Sequence, residues 1–567
     1  MKSPDLYSRR EALALMGTAG TLGAMGRSAA IAQTPAGGSV VERAVQRNDA
    51  AVRTLLGTQI TDGASPWLGS VPDQVGLHTA GSAASVAETL AASFVHPQST
   101  FHDDAAVLQR IRLAAGFLER SQSPEGNIDL LSTNFNSPPD TGFVVHGVAT
   151  AAAVARLHGR AEITNILRPF LVKAGGGMAI GGIHTPNHRW VVSSALAQVN
   201  DLFPDARFVR RIDEWLAEGI DMDDDGQFTE RSTLVYNIIS DRALVVMAAK
   251  LKRLELLEPV RRNLHALAYL LHADGEVVTE ISRRQDQFTR GGVSGYWFPL
   301  TYLALKDQDG ALSALARQVS PESPRLSALL EYPELAQPLP APRSLPDNFE
   351  KSFPHVGIVR IRRGALSSTL VMGGFSRFFT LRYGDAVIEG VRFATSFFGK
   401  GQFIPDSAER TASGYHFRQS LEAPYYQPLP RHITPEAGAA SRSERRQTEI
   451  CRLEQSADVS EVKGGFRLRV RATGTSGVPL AVEIGFREGG TLEGCRPLPE
   501  SQGSFLLEKG TGTYRAGRSE IRFGAGRATH QYTQLRGAEP KLQGLSVYIT
   551  GATPFDQTIQ FDCVGGV

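Results

Sequence analysis

The hydrophobic period of this 567-residue chain changes once, at a proline-rich stretch, and that change limits the fold more than any other feature. Before it, from about residue 40 to 330, apolar residues recur three and four apart, as one face of a helix requires. Val107, Leu108, Ile111, Ala114, Ala115 and Leu118 make one such stripe, and runs over 141–157, 190–199, 208–220, 234–251 and 260–271 repeat it between short polar or Gly/Pro connections. The stretch Gln337-Pro338-Leu339-Pro340-Ala341-Pro342-Arg343-Ser344-Leu345-Pro346 follows and reads as an extended linker. After it the period is two: Phe466, Leu468, Val470 and Ala472 alternate with Arg467, Arg469 and Arg471. Similar alternation at 357–361, 481–486, 520–523 and 545–549, with Gly-Gly and Gly-Ala-Gly turns between, predicts half-buried antiparallel strands.

The expected fold is therefore multidomain, α then β: an N-terminal (α/α) toroid of antiparallel hairpins followed by a C-terminal antiparallel β-sandwich. A chain this long exceeds what one core supports, since single cores stop growing near ~250–300 residues. The expected boundaries are 1–32 for a leader, 33–336 for the toroid, 337–349 for the linker and 350–567 for the sandwich. The leader is read from Ser8-Arg9-Arg10-Glu11-Ala12-Leu13, a weakly apolar run over 14–25 and a small-residue cleavage site at Ala30-Ile31-Ala32. Paired arginines before such a run are a twin-arginine export signal, and Gly17, Gly20, Gly23 and Gly26 argue against a spanning helix. The mature protein is expected to start near Gln33, to be periplasmic or secreted, and to have no stable membrane insertion after export.

The charge balance, 60 Lys+Arg against 58 Asp+Glu, excludes a surface tuned globally to nucleic acid, and no nucleic-acid partner is expected. Cys451, Cys495 and Cys563 are scattered and odd in number, so they build neither a disulfide scaffold nor a CxxC metal cluster.

Candidate chemistry concentrates at predicted helix starts. In His184-Thr185-Pro186-Asn187-His188-Arg189-Trp190, Thr185 suits an N-cap and Pro186 the first helical position. Asn187 and His188 then fall in the first turn, where unpaired N–H groups and the positive dipole end favour a carboxylate. The four-residue spacing of His184 and His188 does not make a zinc site, because His184 precedes the proline and Thr185 stands where a metalloprotease has glutamate. A purely structural polar helix start is the alternative. The second stretch, Asp225-Gly226-Gln227-Phe228-Thr229-Glu230-Arg231-Ser232-Thr233-Leu234-Val235-Tyr236, leads from a turn into a helix carrying Tyr236. A tyrosine beside cations is suited to acid or base work; packing in a helix pair is the plain reading.

Further candidates are Asn134, in a polar loop where Asp140 reads as the helix cap, and Tyr415-His416-Phe417-Arg418 with Tyr425-Tyr426 in the β half, either a sugar-contacting edge or an aromatic strand. Gly175-Gly176-Gly177 lacks the Gly-Lys-Ser/Thr ending of a phosphate loop and reads as a flexible connection. Asp221-Met222-Asp223-Asp224-Asp225-Gly226 is half a calcium loop, but Ser232 stands at the twelfth position. An acidic turn and a structural divalent cation are the two readings; no catalytic metal or cofactor is required.

The Asn187-His188 pair followed by Asp-Gly-x-x-x-Glu-Arg-Ser-x-x-x-Tyr ending at Tyr236 resembles the oligoalginate lyase and heparinase II/III-like polysaccharide lyases. The resemblance implies a toroid-plus-sandwich fold and β-elimination on a uronate-containing acidic polysaccharide or oligosaccharide. By it, Asn187 and His188 neutralise the uronate carboxylate, Tyr236 is the catalytic acid, in some members also the base, and Glu230 and Arg231 bind or support substrate, with Tyr415 and His416 as β-domain candidates. Arg189, His184 and Asn134 are further substrate-binding candidates by their place in the sequence, not by the resemblance. The sequence departs from alginate-type relatives at Arg189-Trp190, where those carry Gly-Thr-Trp. Two other readings stay open: a toroid glycoside hydrolase using Asp140 and Glu230, and a non-catalytic exported carbohydrate-binding protein.

Overall fold

The computed structural model describes residues 38–434 and 440–565, so the expected leader at 1–32 lies outside the described residues. The chain divides into two units. The first takes in residues up to Leu270 together with Gly275–Leu345; the second takes in Leu271–Asp274 and everything from Pro346 on.

The first unit is two layers of helices. An inner layer consists of α2 (Ala80–Val95), α4 (Pro138–Leu157), α6 (Asn187–Leu202) and α8 (Tyr236–Leu251). Each is followed by an outer helix: α3 (Ala105–Arg120), α5 (Ala161–Ile180), α7 (Ala206–Ala217) and α9 (Leu257–Leu267). The leading helix α1 (Val40–Thr58) packs on α2, and α10 (Trp297–Asp307), α11 (Gly310–Ala316) and α12 (Leu326–Glu331) complete the unit. Sequence decides the layer. Helix α6 buries nearly every residue, Trp190 and Val191 through Val199 included, and past its first turn its buried polar side chains, Ser193, Ser194 and Gln198, are small or amide groups rather than charges. Helix α7 buries only Phe208 and Ile212 and turns its arginines and acids to water. Helix α12 ties the ring together: Glu331 accepts from Thr150 of α4 at 2.9 Å and pairs with Lys250 of α8 at 2.7 Å, while Ser327 donates to Glu88 of α2 at 2.6 Å. This is the helical toroid expected from the period.

One expectation is corrected here. Gly175-Gly176-Gly177 is not a connection but the last turns of α5. A Cβ at Gly175 would sit 2.7 Å from the Phe208 ring, and one at Gly177 2.8 Å from Asn127 and Glu125. These glycines therefore let neighbours close on the helix, which offsets their poor helix propensity. The proline-rich stretch is extended but not loose: Ser313 Oγ donates to Pro340 O at 2.6 Å and Arg343 N to Gly310 O at 2.8 Å, strapping it to α11.

The second unit is a β-sandwich. One sheet has eight strands and the other ten. Phe466, Leu468, Val470 and Ala472 of the strand Gly465–Gly474 point into the core with Phe379, Phe417, Val482, Ile549 and Phe561, all at most 1% exposed. Arg469 and Arg471 face outward into ion pairs with Asp556 and Asp458. Among the described strands pairing is antiparallel except where Ser504–Leu506 runs parallel to Leu545–Ala552; an isolated bridge, Ala528 to Thr550, is parallel as well. A long excursion through Thr511–Ala516 and Ser519–Gly524 separates these two strands, which frees the chain to return in the same direction. Residues Leu271–Asp274 lie on the ten-stranded sheet, where buried Arg360 donates to Leu271 O at 3.2 Å and His272 shares a hydrogen bond with Ser367 at 2.9 Å.

Candidate active site

Alternation of inner and outer helices means every inner helix starts at the same end of the first unit. The starts of α4, α6 and α8 consequently meet. Phe143 of α4 stands edge-on to His188 of α6 at 6.2 Å, and Asn187 of α6 donates from Nδ2 to Glu230, in the segment before α8, at 2.5 Å. Three N-termini in one place concentrate positive dipole ends.

Helix α6 begins at Asn187, with Pro186 in the flanking position and no side-chain cap. The Thr185 hydroxyl, expected as that cap, instead accepts from the Asn187 side-chain amide at 3.2 Å. Proline removes one N–H from the turn, and the two bonds from Asn187 fix its side chain before any ligand arrives. Its Oδ1 is buried without a partner, as is Nδ1 of His188. The exposed ring of His184 stands at 88° to His188 with centroids 4.6 Å apart. Burial first, then His184 and Arg284, depress the His188 pKa to about 3, so the imidazole is neutral at ordinary pH. It offers a donor and an acceptor rather than a charge.

Glu230 is buried, and burial raises its carboxyl above the usual range against the opposing pull of Asn187 and Arg284. Its Oε1 lies 3.2 Å from Arg284 Nη1, a charge contact out of hydrogen-bond alignment. Arg284 also donates from Nη2 to the Tyr236 hydroxyl at 3.3 Å and lies over the Tyr236 ring, 4.6 Å from its centroid. Gln285 Nε2 donates to the same hydroxyl at 3.0 Å. An unbroken chain of side chains thus runs Asn187, Glu230, Arg284, Tyr236.

Two loops carry this chain, and Asp286 joins them. It accepts from Ser232 Oγ at 2.9 Å and Leu234 N at 3.1 Å, and from Ser282 Oγ. Ser232 in turn accepts from Tyr236 N at 3.0 Å and starts α8. Arg283 N donates to Glu230 O at 3.1 Å. Arg284 and Gln285 were missed in the sequence; the one available signal was the basic run Arg283-Arg284 beside Asp286 in a loop without any period.

Other sequence candidates are placed differently. The Arg189 guanidinium, expected on substrate, is buried and holds the end of α7: it contacts Glu218 at 3.0 Å, Gly219 O at 3.2 Å and Asp221 at 3.2 Å, over the Trp190 ring. Asp221 also accepts from Trp190 Nε1 at 2.8 Å, and Asp223 closes its turn by accepting from Gln227 N at 3.0 Å, so both acids have structural work. Arg231 takes a positive φ of 52° and lies 3.9 Å from Asp223. The cap of α4 is Ser137, not Asp140; Asp140 accepts from Ser137 at 2.5 Å and from Asn134 at 2.9 Å, which takes up the Asn134 amide.

In the second unit, Tyr415 is a core residue whose hydroxyl donates to Glu350 at 2.6 Å. His416 is half-buried and bonded through Nδ1 to Asp458 at 2.6 Å, and Asp458 is bonded to Arg471 at 3.0 Å. Arg418 pairs with Glu454.

No protein-family model matches the sequence, and no curated protein matches it. Solved structures do match by fold. The chain is similar to heparinase III (TM-score 0.55, 11% identity, 98% of this chain and 90% of that one). It is similar to the Streptomyces coelicolor A3 chondroitin AC lyase in complex with chondroitin sulphate (0.54, 13%, 99% and 83%) and to Paenibacillus xanthan lyase (0.52, 9%, 93% and 57%). Among the described residues no helix is long and apolar enough to cross a membrane. This chain has the toroid-plus-sandwich fold of those polysaccharide lyase structures.

Proposed function

We propose that the protein is a polysaccharide lyase that cleaves a uronate-containing acidic polysaccharide or oligosaccharide by β-elimination. The observation that carries the reading is the Tyr236 phenol held between Arg284 and Gln285, joined through Glu230 to Asn187 at a start shared by three helices. Elimination needs the weakly acidic C5 proton removed while negative charge builds on the adjoining carboxylate. The His188 ring N–H, the positive end of the α6 dipole and the Arg284 charge are suited to that carboxylate, while Asn187, whose two amide hydrogens go to Thr185 and Glu230, holds Glu230 in place. Preorganised donors of this kind are worth roughly 3–4 kcal/mol each in the transition state. In a balanced course Tyr236 takes the C5 proton as phenolate, a form whose charge the guanidinium over its ring offsets, and as phenol passes that same proton to the leaving glycosidic oxygen, which regenerates the phenolate.

The fold relatives named heparinase, chondroitin AC and xanthan lyases support a uronate polymer as substrate. The hydrolase alternative asks for two carboxylates facing one glycosidic bond; Asp140 is taken up by Ser137 and Asn134, and Glu230 by Asn187 and Arg284. Export by the twin-arginine route, read from Arg9-Arg10, fits a substrate too large to enter a cell; replacing both arginines with lysine should retain the protein in the cytoplasm.

The test is incubation with heparin, chondroitin sulphate, alginate and xanthan while following ultraviolet absorbance of the unsaturated uronate. Absorbance that rises with chain cleavage is the expected result. Reducing ends released without a double bond would replace the lyase by a hydrolase.

A further inference from the structure

The second unit carries exposed rings for which the proposed reaction has no use. Among its described residues, Phe398, Tyr425 and Tyr532 are the phenylalanine and tyrosine side chains left most open, at 46%, 56% and 44% exposure. Phe398 forms the tip of the hairpin joining the strands Ala386–Thr395 and Gly401–Gln402. There Lys400 N donates to Phe397 O at 3.0 Å, and Phe398 and Gly399 take φ of 50° and 70°. Two successive positive φ values define a type I′ turn, whose first position favours Asn, Asp or Gly. A phenylalanine there is both strained and wet, a combination that the fold itself does not reward.

Its surroundings say what the ring is suited to. The Phe398 ring is edge-on to Tyr425 at 5.7 Å and to buried Phe397 at 5.0 Å, so it is held from two sides. The hairpin tip touches the loop carrying Tyr532: a Cβ on Gly537 would lie 2.3 Å from the carbonyl carbon of Gly399. In that loop Arg536 N donates to the Tyr532 hydroxyl at 2.7 Å, which fixes the third ring. The exposed side chains of Lys400 and Arg536 flank the touching point. The neighbouring acids are already paired, Glu422 with Arg452 at 2.9 Å and Glu539 with Arg392 at 2.7 Å, so the face is locally cationic.

We infer that Phe398, Tyr425 and Tyr532, with Lys400 and Arg536, form a second binding site for the acidic polysaccharide, on the β-sandwich. The inference rests on the polysaccharide reading of the previous subsection for the class of ligand. Exposed rings fixed by their neighbours suit the apolar faces of pyranose rings, and the two cations match the carboxylates or sulphates of the polymer. A flat apolar patch, the mark of a protein partner, is not what these rings make.

The experiment is affinity electrophoresis through gels containing chondroitin sulphate, heparin or alginate, with neutral amylose as control. It uses Tyr236→Phe protein so that the polymer stays intact. Phe398→Asn places a residue suited to positive φ at the turn, so its melting temperature should hold or rise while polymer affinity falls roughly three- to tenfold. Tyr425→Ala and Arg536→Ala should each weaken retardation by the acidic polymers, the second most at low salt. With Tyr236 restored, Phe398→Asn should raise KM on polymer and leave turnover of a short oligosaccharide unchanged. Unaltered retardation of all three variants, or an equal loss on amylose, would overturn the site. Failure of the lyase reading looks different: no unsaturated product from the parent enzyme, with retardation intact.

Discussion

The helix starts of the first unit and the strand around His416 in the second both draw the eye with dense polar and aromatic residues, but they use their polar atoms in opposite ways. Around His416 the side chains are mostly matched: Tyr415 is bonded to Glu350, His416 to Asp458, and Asp458 to Arg471, whose Nε alone of these groups is buried without a partner. At the helix starts, buried atoms are left over, among them Asn187 Oδ1, His188 Nδ1 and Asn237 Oδ1. Leaving a buried polar group unmatched costs ~1–3 kcal/mol, so a fold tolerates several together only where something else repays the loss. The contrast teaches that crowding of unusual residues marks a site less well than incomplete satisfaction does.

The sharpest way to break the comparison is Tyr236→Phe. It removes one hydroxyl and its two hydrogen bonds, and should reduce kcat by about a thousandfold while polymer binding is largely kept. A Phe variant with full turnover would take Tyr236 out of the reaction. Next comes Arg284→Ala, expected to lower kcat by roughly tenfold to a hundredfold. Arg284→Lys should recover only part of that, because a lysine cannot reach Glu230 and Tyr236 as one planar fork. A change confined to KM would assign Arg284 to ground-state binding.

A smaller effect concerns acid stability. The folded pKa of His188, about 3, lies below the ordinary value of 6.5, so the unfolded chain holds the extra proton between those limits. Stability is therefore complete above about pH 6.5 and declines as pH falls toward 3, at up to ~1.4 kcal/mol per pH unit for this group. His188→Gln should flatten that decline in melting curves taken from pH 6.5 to 4; an unchanged slope would mean that the ring titrates as if exposed. The smallest effect belongs to the matched cluster. Tyr415→Phe should cost ~1 kcal/mol in a denaturant titration and move kcat/KM by less than about twofold. A large kinetic loss there would erase the distinction drawn between the two regions.

The degree to which each part was legible follows from how locally it is encoded. The inner helices announce themselves because burial on all sides writes long apolar runs, and the sandwich because burial on one side writes alternation. Asn187, His188 and Tyr236 could be found since helix starts have their own grammar of caps and prolines. Arg284 and Gln285 could not: they reach Tyr236 through a loop whose placement depends on Asp286 binding Ser232, 54 positions away. Helix α5 was hidden by glycines that exist for the sake of Phe208 and Asn127, partners distant in sequence. Arg189 misled for a related reason, because a charge at a helix start looks the same whether it faces a ligand or the end of the next helix.

The in-and-out course of the toroid has an evolutionary corollary. Since each inner helix is fixed along its length by neighbours and begins at one common rim, the exposed positions within 128–137, 181–186 and 221–235 can be rewritten without re-solving the interior, whereas Ser137, Asp221 and Ser232 are tied into it. Proton-handling groups, carboxylate donors and sugar selectivity then become exchangeable fittings on posts that stay put. On the proposed reading, such a fold can change its polymer by altering a few rim residues while the posts remain superimposable.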